Sequence, residues 1–174
     1  MSSPNFKLPT IYTLFFLIIE PISALVGAFY ANFKPLQYLR LTHADSSPTT
    51  TSNIPLSTSV ALTQLANLYL LFAINEAVVL RSTSSLRVWR AVLIGLLIAD
   101  AGHLYSVSSL GYGVYFKFWD WNEMMWGNIA FVYAGAAMRI AFLTGVGLNT
   151  EGGRDGAMKA EMKREMQAAM KKIG

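Results

Sequence analysis

Glu20, Glu76, Asp100 and Arg139 each interrupt a stretch that is otherwise apolar, and His103 follows Asp100 at a three-residue step. An ionised side chain at mid-bilayer costs roughly 3 kcal/mol or more, so each should face the protein interior and find a partner there. Counting along the stretches at about 1.5 Å per residue sorts the polar groups into two layers. Glu20 and Asp100 fall near the midplane with no basic residue at their own depth, and Asn67 joins them. Glu76 and Arg139 fall nearer one end and read as a buried structural ion pair fixing the register of two helices.

Two acids in a low-dielectric interior are expected to keep a proton between them, and a buried protonated carboxyl group is a proton donor. His103, one helical turn beyond Asp100 on the same face, is placed to hydrogen-bond to the carboxyl group or to relay its proton. Glu20, Asp100 and His103 are therefore the candidate catalytic residues. The plainer reading of "DAGH" is a polar helix–helix contact with Gly102 permitting close approach. Asn67, Tyr69, Tyr105, Trp121, Trp126 and Asn128 are the candidate substrate-binding residues, since aromatic faces stabilise carbocations and the amides and hydroxyls supply hydrogen bonds. Tyr133 adds a hydroxyl, but its small neighbours in "YAGAAMR" point to tight helix packing.

The elements that must hold these residues are membrane helices. Of 174 residues, 53% are hydrophobic and only 14% charged, too apolar for an ordinary soluble domain of this size. A span needs about 20 mostly apolar residues, and Pro9 to Phe33, Ser59 to Leu80, Val88 to Leu110 and Met124 to Gly147 qualify. The first could be mistaken for a signal peptide, since Lys7 precedes an apolar core, but Glu20-Pro21 interrupts it and the apolar pattern then resumes, so it reads as a span. Pro21 should kink that helix and free a carbonyl for a neighbour to satisfy. The fold class is an all-α integral membrane four-helix bundle. It comprises a membrane domain over residues 1–149 and a linker with an amphipathic tail helix over 150–174, in which Met158, Met162, Met166, Met170 and Ile173 form one stripe.

Arg81, Arg87, Arg90, Lys7 and the basic residues of the tail share one side, so the positive-inside rule places both termini in the cytosol. The far side carries a Ser/Thr/Pro-rich loop from Asn32 to Thr58 and the segment "GYGVYFKFWDWNE". That segment reads as an interfacial aromatic belt or, alternatively, as a lid of rings over a lipid-side cavity. The net charge of +4 lies in the flanks and tail, which favours anionic lipid headgroups over nucleic acid. With no cysteine and only His43 and His103 as histidines, the chain lacks the ligands of a conventional zinc or thiolate site; no metal and no cofactor are expected. The expected partners are membrane lipids, an apolar small molecule, and either a second copy of the chain or a pathway enzyme engaged by the tail.

The motifs "FFLIIEPISALVGAF", "LTQLANLYLLFAINEAVVLR", "VWRAVLIGLLIADAGHLY" and "WNEMMWGNIAFVYAGAAMRIAFLTGVG" resemble a family of small fungal four-helix membrane proteins of unassigned general function. The resemblance covers nearly all of Pro9 to Gly147. More loosely, four helices with interior acids are similar to emopamil-binding and sigma-2 receptor proteins, which bind sterols or isomerise them by protonating a double bond. They are also similar to the membrane-bound terpene cyclases of fungal meroterpenoid pathways, which use acids rather than a metal; no residue role is carried over from either. These resemblances imply a metal-independent cyclase or isomerase of secondary metabolism at the endoplasmic reticulum, acting on an isoprenoid, meroterpenoid or sterol-like substrate. A non-catalytic lipid- or sterol-binding protein, or an accessory scaffold, is the alternative.

Overall fold

A computed structural model of the protein describes residues 8–43 and 53–148, which are helical with no strand among them. Four helices are long and apolar enough to cross a membrane: α1 (Thr10–Phe33), α3 (Leu56–Leu80), α4 (Leu86–Leu110) and α5 (Glu123–Leu143). A shorter helix, α2 (Pro35–Thr42), lies between the first two. The chain is thus a multi-pass membrane protein in the length and apolarity of its helices. Large apolar side chains such as Ile11, Ile22, Phe29, Ile98 and Ile140 stay exposed along the spans, which suits contact with lipid tails. The methionine-striped tail and residues 44–52 lie outside the described residues.

The helix ends are set by local chemistry. Asn122 caps α5: its side-chain oxygen accepts from Met125 N–H at 2.9 Å while its amide nitrogen donates to the Leu41 carbonyl at 2.8 Å, tying α5 to the last turn of α2. After Leu143 the chain turns through Gly145 and Gly147, both at positive φ, and the Tyr12 hydroxyl donates to the Val146 carbonyl at 2.8 Å. The fourth span therefore ends earlier than the apolar run, which continues to Gly147. Pro21 lacks the N–H that would bond to the Leu17 carbonyl, and Arg81 Nη2 donates to that carbonyl instead, at 2.8 Å.

α1 packs along α3, and α4 along α5. A core of Tyr12, Phe16, Leu80, Trp89, Leu93, Leu96 and Phe142 joins the two pairs at the end that carries Arg81. A smaller core of Ala31, Tyr38, Leu62 and Ala66 closes the opposite end. Tyr38 comes from α2, so the expectation of a plain loop over this segment is corrected: it contains a helix opened by Pro35 at its first turn and anchored by Tyr38. The "GYGVYFKFWDWNE" segment forms short 3₁₀ turns, and Tyr112, Phe116, Phe118 and Trp119 project outward.

Candidate functional site

Arg139 gathers an acid from each of the other three spans. Nη1 donates to Asp100 Oδ2 at 2.8 Å, while Nη2 donates to Glu20 Oε1 in a short bond and reaches Glu76 Oε1 at 3.4 Å. Arg139 and Glu76 are almost completely buried, and Phe16 lies beneath the guanidinium with its ring centre 6.0 Å from Cζ. This overturns the two-layer arrangement: Glu20 and Asp100 do have a counter-charge, and Glu76 has only a share of Arg139. The cause is the direction in which helical side chains lean. Each Cα–Cβ bond tilts toward its helix N-terminus, and α1 and α4 run opposite to α3 and α5. Glu20 and Asp100 therefore lean toward the Arg81 end while Glu76 and Arg139 lean away from it, and the groups converge. Counting backbone positions alone cannot see this.

The backbone bends to the same purpose. Three segments take π-helical geometry: Phe15–Ile19, ending beside Glu20; Asn75–Leu80, containing Glu76; and Trp126–Ala130, containing Asn128. A π turn inserts one residue and rotates the rest of the helix beyond it, and such turns recur at functional sites. Gly135, one turn before Arg139, leaves the space in which the guanidinium lies.

Between the two cores the helices enclose a cavity of about 640 Å³, within the range that suits a small-molecule ligand. Glu20, Glu76, Asp100 and Arg139 line one end; Tyr69, Asn128, Gln37 and Glu123 line the other; and Ala24, Val26, Phe72, Leu96, Phe131 and Val132 supply apolar wall between them. His103 lines it too, one turn from Asp100. The His103 ring bonds to the backbone carbonyl of Asn128, and its buried Nε2 has no hydrogen-bond partner. Oε2 of Glu20, Oε2 of Glu76 and Nε of Arg139 are likewise buried without partners. Buried polar atoms left unpaired cost about 1–3 kcal/mol each, so the polar residues beside this cavity carry unmet hydrogen-bonding capacity.

Of the residues expected to bind substrate, Tyr69 and Asn128 line the cavity. The Tyr69 hydroxyl bonds to that of Tyr38 at 3.1 Å, and the Asn128 side chain also bonds to Tyr38. The others do not line it. Asn67 and Tyr105 are exposed on the outside of their helices, and Trp121 and Trp126 stack edge-to-face on each other, with Trp121 Nε1 bonded to the Val114 carbonyl at 2.8 Å. No ring from Tyr112 to Trp121 lines the cavity, so the aromatic segment forms no lid over it. Gln37 and Leu41 escape the sequence reading because α2 resembles a loop there; Pro35 followed by Leu36, Leu39 and Tyr38 is the available signal. Among the described residues no cluster of His, Asp and Glu has the geometry to hold a metal ion.

The chain belongs to a family described as a domain of unknown function, DUF7704, whose model matches residues 5–149, nearly all of the membrane domain. No curated protein and no solved structure matches it.

Proposed function

We propose that this member of the DUF7704 family is a membrane-embedded, metal-independent enzyme that protonates an isoprenoid, meroterpenoid or sterol-like substrate in the cavity, cyclising it or shifting a double bond. The observation that supports this is a single cavity lined jointly by all three interior acids and by His103. One guanidinium balances one carboxylate, so a cluster of one Arg and three acids stays close to neutral only by keeping protons. Glu20 and Asp100 make the closer bonds to Arg139 and Glu76 the longer one. Glu76, the most buried acid and the one most weakly held, keeps the proton and becomes the donor in place of Glu20 or Asp100.

In the step itself, the Glu76 carboxyl gives its proton to one carbon of an alkene, whose π electrons form the new C–H bond and leave a cation on the other carbon. Phe72 and Phe131 line the cavity wall and shield that cation from water. Loss of a proton from an adjacent carbon to His103 restores a double bond, directly or after ring closure, and the proton returns to Glu76 through Asp100 and the cluster. No electron is gained or lost, and the proton count balances. On this reading both termini are cytosolic, as the charge bias of the flanks suggests.

A second reading has its own support. Glu20 and Asp100 are already engaged by Arg139, an arrangement of fixed hydrogen-bonding groups that would suit a non-catalytic lipid- or sterol-binding protein. Incubating protein-containing membranes with linear prenylated phenols and a sterol panel separates the two. New products with wild type, lowered about 100-fold or more in Glu76→Gln, support catalysis. Saturable binding with no product supports the binder.

A further inference from the structure

The cavity is closed at the Arg81 end, reaches exposed polar residues, Gln37 and Glu123, at the α2 end, and has exposed apolar lining on one side. At the Arg81 end it rests on the aromatic core, where Phe16 and Phe142 are fully buried. At the other end α2 borders it, pinned by the Asn122 bond to Leu41. Between these limits the walls differ. α1 packs closely along α3 and α4 along α5, whereas α1 and α5 meet through the stacked rings of Phe15 and Phe131, 5.8 Å apart, near the charge cluster. Beyond that stack, the cavity-lining residues Val26 on α1 and Gly127 on α5 are both exposed, Val26 at 52%. A Cβ on Gly127 would meet nothing within 4 Å. Both residues lie inside segments long and apolar enough to cross the membrane, which favours lipid over water at this opening.

We infer that the gap between Val26 and Gly127 is a lateral entrance through which an apolar molecule dissolved in the bilayer enters the cavity with its polar end toward the acids. This rests only on the binding half of the proposed function. A ligand that partitions into lipid reaches the opening without crossing water, and a glycine at the rim leaves the width that any larger residue would fill. The other exposed lining, Gln37 and Glu123 beside α2, is polar and suits water or a polar head rather than an apolar chain.

The test uses the full chain in liposomes with a diazirine-bearing prenyl alcohol dissolved in the bilayer, photolysed and mapped by peptide mass spectrometry. Wild type should be labelled on cavity residues of α3 and α4. Gly127→Trp should lower that labelling at least tenfold. Gly102→Trp is the control, since Gly102 is exposed, does not line the cavity and also has open space around its Cβ; it should leave labelling unchanged. Gly127→Leu gives the same reading should the tryptophan variant unfold. Undiminished labelling in the Gly127 variants overturns the entrance, as does equal loss in the Gly102 control or labelling of wild type confined to lipid-facing residues. Labelling gated by Gly127 without any product formation would keep the entrance and remove the catalysis.

Discussion

Gly135 lies one turn before Arg139 on the same face of α5, and a Cβ there would stand 2.5 Å from Nη1 of the guanidinium and 3.2 Å from Glu20 Oε1. The glycine therefore makes the charge cluster geometrically permissible. In "YAGAAMR" the small residues read as a helix-packing stripe, yet the space left at Gly135 is occupied by a side chain of its own helix.

Gly135→Ala should lower stability by about 2 kcal/mol, because the guanidinium must move off its carboxylates. Helix propensity alone argues the opposite, favouring alanine by about 1 kcal/mol. Thermal unfolding in detergent decides: a midpoint equal to or above that of wild type would mean that Arg139 has another place to go.

Arg139→Met should destabilise by about 3–5 kcal/mol, since it strips the shared cation from three buried acids. Adding Glu20→Gln and Asp100→Asn to the same chain should restore much of the loss. The check is folded yield and unfolding midpoint across the series; no recovery in the triple variant would show that packing of the Arg stem, rather than charge balance, is what matters there.

Glu76→Gln and Glu20→Gln should differ, although both replace a buried glutamate. Gln at 76 removes surplus acidity from the weakest contact of Arg139 and should leave the unfolding midpoint near wild type. Gln at 20 weakens a short charge-assisted bond and should cost about 1.5–3 kcal/mol. Parallel melting curves measure the difference, and the reverse order would overturn the choice of Glu76 as the proton donor.

Arg81→Ala should cost about 0.5–1.5 kcal/mol by removing the hydrogen bond that takes up the Leu17 carbonyl. In a Pro21→Ala background, where a backbone N–H is again present for that carbonyl, the same change should cost much less. A double-mutant cycle reads the coupling directly, and additivity within about 0.5 kcal/mol would dissociate Arg81 from the proline.

Much of the fold was legible in the chain. The apolar runs marked four spans to within a few residues, because lipid demands continuous apolar length and satisfied backbone whatever the packing. Pro21 announced a freed carbonyl, and the cost of intramembrane charge singled out Glu20, Glu76, Asp100 and Arg139. α2 escaped notice because its eight residues are amphipathic over barely two turns, too short for periodicity to stand out from a loop.

Which charges meet was a different matter. Residue type and depth are properties of one helix at a time, so the sequence by itself determined that ionisable groups would be buried in the membrane domain. Only the tertiary structure decided that they form one cluster facing one cavity. That outcome depends on how antiparallel helices aim their side chains toward each other, on π turns that rotate Glu76 and Asn128, and on a glycine that lets Arg139 fold back along α5. Each of these changes a side chain's position by several ångströms while leaving the apolar pattern untouched. Composition therefore carries the membrane, and the crossing of helices carries the site.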